Sequence, residues 1–222
     1  MLSPKKQTIL LEKFRIDPEK NPISTPSGKI EIFSETVDSF NYEDCPGHPA
    51  WLEQTEWLGS NLTKQYPLQL ISGQPHNRLH SQLDNGSESQ NYKILGREPI
   101  KIHPQDAQTR RLVNGDIVEV FNKRGKCLAG VIVSNEVMKG VVFLPVGAWY
   151  DPINDGEFCV HGNPNVLTED IGTSSLAQGP SAHSTLVEIK KYTKELPEIS
   201  ILHKPNICLL YTSDAADEED SV

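Results

Sequence analysis

Two runs of this chain concentrate side chains that donate and accept hydrogen bonds. The first is Ser72-Gly73-Gln74-Pro75-His76-Asn77-Arg78-Leu79-His80-Ser81-Gln82-Leu83, where amides, imidazoles, a hydroxyl and a guanidinium follow one another. The second is His161-Gly162-Asn163-Pro164-Asn165-Val166-Leu167-Thr168-Glu169-Asp170-Ile171-Gly172-Thr173-Ser174-Ser175-Leu176-Ala177-Gln178-Gly179. Small or amide-bearing residues at almost every second position suit a loop whose backbone comes close to a polar ligand.

In the first run, His76 and His80 stand four apart, a spacing that on a helix would put both on one face and invite a metal. Asn77-Arg78-Leu79 offers no acid to serve as the base of a zinc hydrolase, and Gly73 and Pro75 favour a loop or a helix start. Polar ligand contact through Arg78, His80, Ser81 and Gln82 is the favoured chemistry. Histidines that satisfy backbone groups, and metal ligation, stay open beside it. In the second run, Gly162 and Pro164 fix the backbone around Asn163 and Asn165, whose amides donate and accept at once. The alternative is an Asx-type turn in which they cap their own backbone. Asp170 reads equally as a turn or helix-start acid, and Trp149 as a core aromatic. No Ser/His/Asp or Cys/His set has the context of a nucleophile, and neither G-x-x-x-x-G-K-[ST] nor G-x-G-x-x-G occurs. No residue of the chain is expected to be catalytic or to ligate a metal.

Short β-rich runs must position these loops: Leu68 to Ile71, Pro99 to Ile102, Asp116 to Phe121, Leu128 to Val133, Val141 to Val146 and Ser184 to Ile189. Six short strands separated by turns suggest a barrel, mainly β with short helices. One helix follows His103, since Pro104 suits a first turn and Gln105 to Leu112 ends before Asn114-Gly115. Residues 1–65 read as an irregular connector with a turn at Thr25-Pro26-Ser27-Gly28 and a half-buried strand at Lys29 to Phe33. Asp44 to Trp57 carries turn chemistry and aromatic anchors suited to packing against something larger.

The 222 residues allow one large domain, or one domain and a flanking piece. With 16 prolines and 15 glycines, long helices do not dominate. A net charge of −9 argues against a nucleic-acid or anionic-membrane partner reached through a general basic field, so an anionic ligand needs locally converging donors. Cys45, Cys127, Cys159 and Cys208 are scattered, which disfavours an iron-sulfur cluster or structural zinc. No apolar stretch approaches the roughly 20 residues of a membrane span, and no signal-type apolar region follows Met1 to Lys6; export stays open. Residues 208–222 carry five acids and no base, an acidic tail by composition. The run Cys208 to Glu218 also looks like a translated transposase sequencing adapter, so 208–222 is set aside as a disordered scar.

On its two polar runs, the chain resembles the C-terminal cofactor-binding domain of the molybdenum enzymes of the dimethyl sulfoxide reductase family, nearest the trimethylamine-N-oxide and biotin sulfoxide reductases. The likeness runs from about Asn21 to Tyr192. It implies a six-stranded double-psi β-barrel at 66–192, a connector from a preceding domain at 1–65 and a C-terminal extension at 193–207. It implies bis-molybdopterin guanine dinucleotide with molybdenum as cofactor, the metal-binding serine lying in an earlier domain outside this chain. Gln74, His76, His80, Ser81 and Gln82 would face the pyrophosphate and pterin parts, with Asn163, Asn165, Asp170 and Gln178 on the second loop and Tyr150 near the approach. Many relatives have His-Pro where this chain has Gln74-Pro75, which leaves the role of Gln74 open. The resemblance further implies a bacterial enzyme, periplasmic rather than cytoplasmic, that reduces an S-oxide or N-oxide by oxygen-atom transfer. Its missing N-terminal domains are then the partners, and this chain alone is inactive. Two rival readings remain: a cofactor-free double-psi barrel that binds proteins, as in unfoldase ATPases, and a small zinc hydrolase built on His76 and His80.

Overall fold

The computed structural model describes residues 8–156 and 158–203. Met1 to Lys6, the end of the 193–207 extension and the tail at 208–222 lie outside the described residues. Eight strands form one sheet: β1 (Leu68–Ile71), β2 (Pro99–Ile102), β3 (Ile117–Phe121), β4 (Lys126–Val133), β5 (Val141–Phe143), β6 (Pro152–Ile153), β7 (Phe158–Cys159) and β8 (Leu186–Lys191). Six of them close in the order β2-β5-β1-β8-β3-β4 and back to β2. The pairs β1–β5 and β2–β4 are parallel, and the other four contacts of the ring are antiparallel. This is a double-psi β-barrel, and closure removes the unpaired edges that an open sheet would expose.

Local chemistry explains the elements. Gly115 sits at φ 86° in the turn that opens β3, a conformation glycine adopts at little cost. The helix Pro104–Thr109 starts where sequence places it: Pro104 occupies its first turn and the His103 ring accepts from the Gln105 N–H at 3.2 Å. Leu68, Leu70, Ile100, Ile102, Val118, Val120, Val131, Val142, Val187 and Ile189 fill the barrel. Alternate positions face inward, which is why these short runs were readable as strands.

The strand ends differ from expectation in informative ways. β5 stops at Phe143 rather than Val146, because the chain leaves β2 there. It still pairs with the end of β1, as Leu144 N–H donates to Ile71 O and Val146 N–H to Gly73 O. β4 begins at Lys126 and β8 ends at Lys191, both longer on the side where β3 pairs with them.

The chain divides into two compact units, residues 1–53 with 172–180, and residues 54–171 with 181–222. Within the first unit, the turn at Thr25 to Gly28 is present, closed by Gly28 N–H on Thr25 O, but Lys29 to Phe33 is not a strand. Ile30, Ile32 and Phe33 are exposed, since alternation without a partner strand does not build a sheet that could bury one face. The second unit takes in residues 54–65, which sequence assigns to the connector. Glu56 explains this: it is buried, its carboxylate takes both arms of Arg124 at 2.6 and 2.9 Å, and it accepts the Leu186 N–H. Burial works to raise the Glu56 carboxyl, but Arg124, the Leu186 amide and Lys123 outweigh it and hold it below the usual range.

Candidate functional site

The first polar run leaves β1 as successive turns, so His76 and His80 share no helix face. His80 and Leu83 adopt left-handed backbone, at φ 51° and 60°. Gln74 locks His80 from both sides: its Oε1 accepts the His80 N–H at 3.0 Å, and its Nε2 lies 2.7 Å from His80 Nδ1. A backbone N–H can only donate, so the amide oxygen faces it and the NH2 faces the ring. Nδ1 is then the acceptor and His80 carries its proton on Nε2, as an outward donor. Gln74, His76, His80, Ser81 and Gln82 are all exposed.

Beneath them lies a sealed ion cluster that sequence did not single out. Arg78, Asp84, Lys93 and Glu98 have side chains at most 2% exposed. Arg78 reaches Glu98 at 3.0 Å and Asp84 at 3.6 Å, and Lys93 reaches the same two acids at 2.8 and 2.9 Å. Two cations and two anions cancel, which is the condition for keeping charges out of water. His161 completes the cluster, fully buried, with Nδ1 3.0 Å from Trp149 O and 3.6 Å from Asp84. A carbonyl only accepts, so Nδ1 bears the proton. Burial, with Lys93 nearby, pushes the His161 ring below its ordinary value against the Trp149 bond and the two acids, so it stands neutral at pH 7.

The second run opens on a cap from its own chain, and its Leu167 O accepts from Asn122 Nδ2 and Arg124 Nε at 2.7 Å each. Asn163 Oδ1 accepts the Asn165 N–H at 2.9 Å and caps the short 3-10 turn Pro164–Val166, so the Asx-turn alternative holds for its carbonyl oxygen. That bond occupies the oxygen and not the NH2. Gly162 has φ 95°, and a Cβ there would lie 2.7 Å from Glu98 Cβ, which ties the start of this run to the ion cluster. Asn165 and Asp170 are exposed. Gln178 belongs to the first unit, with Thr173 and Ser174, and its Nε2 donates to Ser174 O at 2.9 Å.

Residues 146–151 join the two runs. Trp149 is half-buried rather than a core aromatic: its N–H donates to Asp84 Oδ2 at 2.8 Å and its indole N–H to Ser81 O at 2.7 Å. Glu98 N–H donates to His161 O at 3.1 Å. Tyr150 is spent on Gly156 O at 2.8 Å. A cavity of about 210 Å³ opens beside the first run, lined in part by Gln74, His76, Asn77, Tyr92, Lys101 and Phe143. Among the described residues, no group of three or more His, Cys, Asp or Glu is placed to hold a metal. Cys127 and Cys159 face each other in register on β4 and β7, both buried, and burial followed by the neighbouring Cys159 pushes the Cys127 thiol well up. The arrangement presents polar groups suited to a ligand with many acceptors.

Comparison with known proteins agrees with this geometry. A family model described as the molybdopterin dinucleotide binding domain matches residues 68–186, from β1 to the start of β8. The trimethylamine-N-oxide reductase of Haemophilus influenzae is 48% identical over 204 residues, 90% of this chain and 25% of that protein. Trimethylamine-N-oxide reductase 1 of Escherichia coli K12 is 50% identical over 194 residues, 85% of this chain and 23% of that protein. The dimethyl sulfoxide/trimethylamine N-oxide reductase of Rhodobacter capsulatus is 46% identical over 183 residues, 81% and 22% respectively. The chain thus spans about a quarter of the length of the curated relatives it matches. Among solved structures, acetylene hydratase from Pelobacter acetylenicus shares the fold with a TM-score of 0.62 at 21% identity, over 79% of this chain and 25% of that one.

Proposed function

This chain belongs to the molybdopterin dinucleotide-binding domain family, and from that premise we propose that its two polar runs hold the molybdopterin guanine dinucleotide of a longer bacterial oxidoreductase. The observation that carries the reading is the donor set at the rim. His80 presents a fixed Nε2–H, Ser81 and Gln82 are exposed beside it, and Asn163 keeps its NH2 while its oxygen is tied down. Such donors fit an anionic pyrophosphate and the polar edge of a pterin. His76, Asn165, Asp170 and Gln178 are further proposed contacts of the cofactor. Bound, the cofactor supplies oxygen-atom transfer at molybdenum. The chain's own residues bind and orient it.

The substrate proposed for the whole enzyme is an N-oxide or S-oxide, in keeping with the names of the relatives above, and its proposed location is the bacterial periplasm. Among the described residues no helix is long and apolar enough to cross a membrane. The remaining domains are the proposed partners of this one, supplying the metal ligand and the substrate funnel. The test is molybdenum and guanine nucleotide content per chain in the enzyme that carries this domain. His80→Ala and Asn163→Ala should each lower retention by about one to two decades of affinity, as loss of a hydrogen bond to a charged ligand does. Full cofactor content in both variants overturns the reading.

A further inference from the structure

Arg78 lies in the middle of the first run, where Leu79 after it is 61% exposed and His76 two residues before it is exposed as well. A guanidinium in that place would ordinarily be taken for a contact to the phosphates of the ligand. Its environment is of another kind. The Arg78 side chain is 0% exposed, and its Nε and Nη1 are buried away from the surface that its neighbours present. Its Nη2 donates to Val146 O at 2.8 Å and faces Glu98 at 3.0 Å, and Nη1 faces Asp84 at 3.6 Å.

We propose that Arg78 is a positioning residue, which clamps the ligand-facing segment 74–82 onto the turn at 146–149 and contacts no ligand itself. The proposal rests on the reading of that segment as part of the cofactor grip. Three observations connect the clamp to the rim. Asp84, held by Lys93 and facing Arg78, also accepts the Trp149 N–H, and Trp149 returns its indole N–H to Ser81 O. Gly147 sits at φ 98° so close to His80 that a Cβ there would lie 1.7 Å from His80 O. A shift of the 146–149 turn therefore displaces the backbone of both His80 and Ser81. The planar fork of arginine suits a carbonyl and two carboxylates at once, which a lysine ammonium at the end of a flexible stem does not.

Hydrogen exchange by mass spectrometry on the full chain without cofactor tests the clamp, beside a thermal melt. The variants are Arg78→Lys, which keeps the charge, and Trp149→Phe, which keeps every ion pair and removes the indole donor together with part of the ring. In Arg78→Lys, exchange should rise by at least about tenfold in 74–84 and in 146–149 together, with β3 and β4 unchanged. Trp149→Phe should loosen the same two segments by less. A rise confined to 74–84, no rise, or a rise spread over the barrel in step with the melt would each overturn the clamp. In the enzyme carrying the domain, Arg78→Lys should lose as much cofactor as His80→Ala, and normal cofactor content with loosened segments also overturns it. Should His80→Ala and Asn163→Ala keep full cofactor, the reading of the site fails instead, while the exchange result still decides whether the clamp exists.

Discussion

The two polar runs present similar side chains at their rims and are held by different physics. The first, from Ser72 to Asp84, contains no helix, and its shape depends on charges buried beneath it, Arg78, Asp84, Lys93 and Glu98, with His161 against them. The second, from Gly162 to Leu167, is shaped at its start by a left-handed glycine, a proline that opens a 3-10 turn and the Asn163 cap, and is anchored at its end by Leu167 O, which accepts from Asn122 Nδ2 and Arg124 Nε at 2.7 Å each. A run held by buried charges is sensitive to any change in the charge balance, including protonation. A turn set by backbone conformation, a cap and bonds to its last carbonyl should respond less to the charge balance of that cluster.

The largest effect should follow from breaking the charge balance. Glu98→Ala removes the acid shared by Arg78 and Lys93 and leaves a buried excess of positive charge, so it should cost about 3–5 kcal/mol by chemical denaturation. Replacing Glu98 with Gln keeps the shape and still loses the charge, which separates electrostatics from packing. A cost under about 1 kcal/mol for both changes would mean that the first run is not held by its charges, and the contrast between the runs would fail.

That cluster is also where reading the sequence stopped. The barrel strands were legible because Leu68, Leu70, Ile100 and Ile102 alternate with polar neighbours, and because Asn114-Gly115 is turn chemistry. Lys29 to Phe33 shows the same alternation without a partner, so the pattern alone misleads there. β6 and β7, two residues each, are too short to carry any period. Asp84, Lys93 and Glu98 resemble any surface charges in a linear chain, and their burial follows from mutual neutralisation across elements that only the fold brings together. The resemblance names the residues of the first run one by one, and they are exposed, whereas the interplay of Gln74 with His80 is not legible in a linear chain, since it depends on the left-handed turn at His80.

Acid should act on the first run before it acts on the rest. The His161 ring is held below its ordinary 6.5 by burial. Below pH 6.5 an unfolded chain protonates this histidine while the folded one resists, so stability falls as pH drops, by at most about 1.4 kcal/mol per pH unit for this one proton. The Glu56 carboxyl is held below its ordinary 4.5, and its contribution, complete above that value, is lost only as pH falls through the lower folded one. His161→Gln should therefore flatten the part of the stability profile between pH 6.5 and 4.5 and leave the more acid limb in place. An unchanged profile in that variant would remove His161 from the account of acid sensitivity.

The smallest effect, and the sharpest probe of the second run, is Asn163→Ala. It removes the cap on the Asn165 N–H from a turn of three residues, and caps of this kind are worth about 0.5–2 kcal/mol, with so short a turn at the low end. Hydrogen exchange in the full chain should quicken at 164–167 and stay unchanged at 74–84, because nothing in the ion cluster depends on that side chain. Asn163→Asp is the companion change: its carboxylate can still accept from Asn165 but has no NH2 to donate. Asn163→Asp should then keep the stability that Asn163→Ala loses, yet retain as little cofactor in the whole enzyme. If Asn163→Asp binds cofactor normally, the residue serves the turn alone. If Asn163→Ala loosens 74–84 as well, the second run is not locally held, and the two runs stand or fall together.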